Sequence, residues 1–167
     1  MIDSTARHRA SLIALAAGLL STVVAFVVPL IDVTTGDTLA AHVRAGYPEY
    51  SEAEISTVTT SWLWVIGIVA AISAVGWLIA LAGTARHKRW PVYFGAAALV
   101  IGILLALTMM FIRDISDDTG LPLSLSAIQL LPCIAGAVAV ALLAGRRTPN
   151  PTRMRSERFA VGGAGQL

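Results

Sequence analysis

The chain has 167 residues, of which 56% are hydrophobic and 13% charged, and its mean hydropathy is +0.76. Soluble domains carry about 45–50% apolar and about 25% charged residues, so this balance excludes an ordinary soluble domain and points to lipid as the main solvent. The net charge of +2 singles out no polyanionic partner, and Cys133 is the single cysteine, which excludes an intrachain disulfide and paired-thiol redox chemistry.

A membrane-crossing helix needs about 20 apolar residues to traverse a hydrocarbon core of about 30 Å. Four stretches meet that condition, and helices are expected because backbone polar groups in lipid must bond within their own segment. The first runs from Ala10 to Ile31 without a charged residue. Arg7, His8 and Arg9 before it resemble the start of a secretory signal, but Val27-Val28-Pro29-Leu30-Ile31 offers no small-residue cleavage site. An uncleaved first span is expected.

The next segment, from Asp32 to about Thr60, is the one sizeable piece outside the apolar stretches. A short helix is expected from a cap at Asp37 through Arg44, with Gly46 ending it. Ser51-Glu52-Ala53-Glu54 reads as a capping box, Ser at the N-cap and Glu three residues on. The helix it starts should run unbroken to about Thr84, roughly 50 Å at 1.5 Å per residue. It is then longer than its spanning part, residues 61–84. Ile55, Val58 and Trp62 recur at helical spacing and are expected to pack on Leu39 and Val43.

The turn from Thr84 to Trp90 is short, so the second and third spans should pair antiparallel, with Pro91 in the first turn of a span covering residues 90–112. The connection from Arg113 to Pro122 is also short, making spans three and four neighbours. The fourth, residues 122–145, contains Pro132, expected to kink it by removing a backbone bond. Gln129 is placed to satisfy the freed carbonyls. Small residues recur at four-residue spacing: Ala14 and Gly18; Gly67 and Ala71; Ala98, Gly102 and Ala106; Ala137, Ala141 and Gly145. Such rows let helices approach closely in lipid, and internal packing is their expected use.

Orientation follows from Lys and Arg. Arg7 and Arg9, then Arg86, Lys88 and Arg89, then Arg146, Arg147, Arg153, Arg155 and Arg158 fall on one side. These are ten of the twelve basic residues. Eight of the ten acids fall on the other side with Arg44 and Arg113: Asp32, Asp37, Glu49, Glu52, Glu54, Asp114, Asp117 and Asp118. Both termini are therefore expected in the cytoplasm. Trp62 and Trp64 belong at the outer interface, Trp90 and Tyr93 at the inner one. Residues 146–167 form a basic tail expected to be disordered and to adhere to anionic lipid.

The apolar cores contain no Asp, Glu, Lys, Arg or His. That argues against proton-coupled export with an embedded carboxylate. Transmembrane haem ligation is disfavoured too, because His8, His42 and His87 all lie outside the cores. Ser73 and Ser126 have no base at depth for serine proteolysis. Cys133 beside Pro132 is expected to be a small core residue. Two acidic groups, Asp114, Asp117 and Asp118, and Glu49, Glu52 and Glu54, supply oxygen ligands of the kind that hold calcium. They are more simply solvated loop residues, and no metal or cofactor is expected.

The segments Gly76-Trp77-Leu78, Arg86-His87-Lys88-Arg89-Trp90, Asp118-Thr119-Gly120-Leu121-Pro122 and Leu130-Leu131-Pro132-Cys133, with Tyr47-Pro48-Glu49-Tyr50-Ser51, give the chain a resemblance over about residues 45–145 to a family of small four-span proteins of high-GC Gram-positive bacteria. That family has no assigned activity, so the resemblance implies the architecture and no catalytic residue.

The sequence thus predicts an all-α integral membrane bundle of four spans with a short helical outer segment. The expected role is non-enzymatic: an accessory subunit or scaffold acting by lateral helix association, as a homo-oligomer or with another membrane protein, and with no nucleic-acid partner. The alternative is a small oligomeric transporter or lipid-handling protein whose path uses the Pro132 kink and is lined by Gln129, Ser126, Ser73 and Thr108. An enzyme using the outer carboxylates ranks last.

Overall fold

The computed structural model describes residues 4–111 and 122–145. Six helices follow in chain order: α1 Ser4–Thr35, α2 Thr38–Gly46, α3 Glu52–Ala85, α4 Pro91–Phe111, α5 Leu123–Ile128 and α6 Leu131–Gly145. The described residues contain no strand. Four segments are long and apolar enough to cross a membrane: α1, α3, α4, and α5 continued by α6.

The bundle is organised around α1. Its buried residues Ser11, Leu15, Gly18, Thr22, Ala25 and Pro29 recur at alternating steps of four and three, the 3.5-residue seam that lets one helix keep a constant face toward its neighbours. Every member but Leu15 and Pro29 is small, so backbones can approach closely where lipid supplies no hydrophobic force between helices. α1 packs most extensively on α6 and α3, and α4 joins mainly through α6.

One aromatic ring keys three helices together. A Cβ on Gly18 would lie 2.6 Å from Cζ3 of Trp77, and one on Gly136 would lie 3.6 Å from its Cη2. Trp77 Nε1 donates to Thr22 Oγ1 at 3.0 Å, and that hydroxyl donates to the Gly18 carbonyl at 3.0 Å. The indole's polar edge is thus satisfied inside an apolar bundle, where a half-buried Trp still needs a partner for its N–H. Nearer α2, Phe26 sits against Gly67, 3.2 Å from where a Cβ would be.

The small-residue rows therefore divide. Ala14, Gly18 and Gly67 face inward, and Ala106 is buried. Ala71, Ala137 and Ala141 are exposed, so internal packing uses only part of the pattern.

At the α2 end, the expected helix and capping box are present. Ser51 Oγ accepts from the Glu54 amide at 3.4 Å, and Glu54 Oε2 accepts from the Ser51 amide at 2.8 Å. Leu39 and Val43 are buried together with Ile55, and Leu39 clusters with Ile66, Leu125 and Trp62; Val58 is half-buried. The expected cap at Asp37 is a correction. Asp37 adopts φ 53°, left-handed, and makes no capping bond. An N-cap needs an extended backbone to aim its side chain at the following amides. Asp32, in the last turn of α1, does the work instead: its carboxylate accepts from the amides of Leu39 at 3.0 Å and Thr38 at 3.3 Å.

At the opposite end, α3 stops in a Schellman arrangement. The Lys88 amide donates to the Gly83 carbonyl and the His87 amide to the Thr84 carbonyl, both at 3.0 Å. His87 occupies the left-handed position at φ 55°, usually glycine's. Its ring stacks on His8 of α1, centroids 4.4 Å apart. Arg7 donates to the Gly145 carbonyl at the C-terminus of α6, where a cation favours the helix dipole.

Two further expectations are revised. Helix α1 extends beyond residues 10–31 at both ends and runs through Pro29. Pro29 has no amide to donate to the Ala25 carbonyl, and Gln129 Nε2 donates there instead, at 3.1 Å. Gln129 therefore repairs α1 and not its own span. The fourth span is broken rather than kinked. α5 ends at Ile128, and the amides of Gln129 and Leu130 make short-range bonds to Ser126 and Ala127, each 3.1 Å. Pro132 then falls in the first turn of α6, where a missing amide costs little. The ends at Ile112 and the tail 146–167, with its five arginines, lie outside the described residues.

Candidate functional site

α3 and α4 do not pair along their length. They meet near their shared turn, where a Cβ on Gly83 would lie 2.6 Å from Trp90 and 2.8 Å from Pro91, and where Phe94 lies over Gly76. Trp90 and Phe94 rings pack edge to face at 5.6 Å. Beyond that point the helices diverge. α4 follows α6 instead, Gly95 facing Val140, Leu99 facing Gly136 and Gly102 facing Cys133. The short turn fixes adjacency only where it acts.

The divergence leaves an apolar cleft of about 290 Å³ walled by α3, α4 and α6 and floored by Leu15 of α1. Its mouth carries Ile72 at 69% exposure and Ile101 at 58%. Both residues would face lipid, so the cleft opens sideways. Toward α2 it continues into a smaller recess of about 90 Å³, sharing Val69, Ser73, Gly102, Leu105, Pro132 and Cys133 with it. Ligand pockets are typically about 300–1,000 Å³, mostly apolar with a few placed polar groups, and the joined spaces fit that description.

The recess supplies those polar groups: Thr22, Ser73 and Gln129. Thr22 is spent on Gly18 and Trp77. Ser73 donates to the Val69 carbonyl at 2.7 Å, which leaves its oxygen free to accept. Gln129 spends one N–H on Ala25. Its carbonyl oxygen and second N–H have no partner among the described residues. Among the described residues no Asp, Glu, Lys, Arg or His lines either space.

Of the four residues expected along a path, the fold brings Ser73 and Gln129 together and leaves two aside. Thr108 is exposed and bonds back to the Leu104 carbonyl at 2.8 Å. Ser126 is buried but lines neither space. Thr22 was missed, and a lone threonine in an apolar run gives no signal without knowing which face is buried. Cys133 is half-buried at the junction of cleft and recess rather than enclosed in the core.

The described acids at the α2 end do not form a shared metal site. Glu52 takes a two-pronged bond from Arg44, Nη2 to Oε2 at 2.8 Å and Nε to Oε1 at 3.0 Å, while Arg44 Nη1 reaches Asp37 Oδ2 at 2.8 Å. Hydrogen bonding to Arg44 holds the Glu52 carboxyl below its usual range. Bonds from the Ser51 hydroxyl and amide do the same for Glu54. Glu49 is exposed. Among the described residues no group of three or more His, Cys, Asp or Glu is arranged to hold a metal. Asp114, Asp117 and Asp118 lie outside the described residues.

No protein-family model matches this chain, and neither a curated protein nor a solved structure does so.

Proposed function

We propose that the chain is a non-enzymatic multi-pass protein of the cytoplasmic membrane, both termini inside, that holds a lipid-soluble guest in the cleft between α3 and α4. The one observation that carries this reading is the lateral mouth at Ile72 and Ile101, leading to a space with a polar recess and no charged group among its described lining residues. The location of ten of the twelve basic residues at the termini and the α3–α4 turn supports the orientation. α2 would then cap the bundle outside, and the basic tail would lie on anionic lipid.

The test is native mass spectrometry of protein purified in mild detergent. Ala98 lines the cleft and is exposed. Ala98→Trp should fill the space and remove retained lipid, while Ala137→Trp on the outward face should not. Equal retention by both variants and the parent would refute the reading.

A second reading, an accessory subunit or scaffold acting by lateral association, is favoured by the outward face of α6. Ile134, Ala137, Val138 and Ala141 are all exposed there, leaving a small-residue row unused by the bundle. Crosslinking in cells should capture a dimer or partner that Ala137→Trp abolishes; a monomer under all conditions would exclude it. The resemblance to four-span proteins of high-GC Gram-positive bacteria is compatible with either role.

A further inference from the structure

We infer that the guest is a single-chain amphiphile with a small uncharged hydroxyl end, seated so that its chain fills the cleft and its hydroxyl bonds Gln129 in the recess. The inference rests on the cleft reading above and narrows it to a ligand class.

The donor and acceptor inventory sets the class. A primary amide left with one unspent N–H and an unspent oxygen in a lipid-surrounded space carries a desolvation penalty until both are paired. A hydroxyl is one donor and an acceptor on a single atom, so it can give its hydrogen to Gln129 Oε1 or Ser73 Oγ and accept from Gln129 Nε2. A carboxylate has no donor and, among the described residues, would meet only that one N–H and no cation. An ammonium or phosphate head would be buried without a counter-charge from the described residues, none of which is an Asp, Glu, Lys, Arg or His lining either space. A plain alkane would leave the amide unsatisfied.

The path agrees with this chemistry. The cleft and recess share six residues, so a chain and its end group occupy one continuous space. The amide is also held in place: its other N–H is fixed on the Ala25 carbonyl that Pro29 leaves unserved, which aims the remaining groups before a ligand arrives. Such preorganisation lowers the cost of binding.

Cys133, the single thiol, lines both spaces and reports their occupancy. The full chain in phosphatidylcholine nanodiscs is alkylated with a lipid-soluble maleimide in the presence of hexadecanol, hexadecane or ionised hexadecanoate. Hexadecanol should slow alkylation about fivefold more than hexadecane, the equivalent of about one net hydrogen bond. Hexadecanoate should protect no better than hexadecane. Gln129→Met should erase the alcohol's advantage. Ser73→Ala, which removes a hydroxyl whose bond is made within α3, should reduce it and serves as the second variant should Gln129→Met fail to fold.

Equal protection by alcohol and alkane overturns the hydroxyl assignment and leaves an apolar cleft with water on the amide. Better protection by the carboxylate overturns it as well. No protection by any of the three overturns the cleft reading itself.

Discussion

Gly18→Ala isolates the contact on which the bundle turns. The added methyl would stand 2.6 Å from a Trp77 ring carbon, where carbon atoms prefer about 3.5–4.0 Å. The ring has to retreat by about 1 Å. It cannot do so freely, because Gly136 lies against it from α6 and its Nε1 is fixed on Thr22. Overpacking of this kind costs about 1–3 kcal/mol, and loss of the Trp77–Thr22 bond adds about 0.6 kcal/mol at the average measured within membranes. Alanine's helix propensity returns up to about 1 kcal/mol. A net destabilisation of about 2 kcal/mol follows, read as a shift in reversible unfolding in mixed micelles. Gly76→Ala is the control: its Cβ would meet only Phe94, at an ordinary 3.9 Å, so it should be neutral or stabilising. If Gly18→Ala proves as stable as Gly76→Ala, Trp77 does not key the helices.

Gln129→Leu should cost about 1 kcal/mol by leaving the Ala25 carbonyl unpaired, and Pro29→Ala should abolish that cost because position 29 regains its own amide; a double-mutant cycle without coupling would refute the pairing. Ser51→Ala should fray the start of α3 by about 1 kcal/mol, seen as faster hydrogen exchange at the first amides of α3 and not in α6. Glu52 and Glu54 titrate below their ordinary range when folded, so their contribution is complete above about pH 4.3 and disappears as pH falls through the lower folded values. Protection of the α2 amides, measured against the intrinsic exchange rate at each pH, should therefore fall on acidification below that point, and unchanged protection would show that the Arg44–Glu52 pair does not hold the cap.

The four long apolar segments and the ends of α2 and α3 facing each other were legible in the sequence because charge-free length and terminal signals are local properties. Ser51 and Glu54 announced the start of α3, and Gly46 the end of α2. What escaped depended on tertiary partners. Asp32 caps α2 across a tight turn, and spacing alone favoured Asp37. Gln129 is near Pro132 in the chain but serves Pro29 in space, a relation visible only once α1 and the α5–α6 break are adjacent. The seam from Ser11 to Pro29 was present in the letters, yet α1 is apolar on all sides, so periodicity carried little contrast. The cleft was not legible at all: it arises because α4 follows α6 and abandons α3, a choice written in the fit of Gly95, Leu99 and Gly102 against a helix more than thirty residues away.

The two helices in closest association, α1 and α6, are separated in the chain by every other described helix. The seam from Ser11 to Pro29 stays half covered, by α3, until α6 has been made. Contacts of such long sequence separation form late, so a chain that stops after α4 inserts three helices and leaves a vacancy along α1. A separately supplied α5–α6 fragment has a shaped berth to enter.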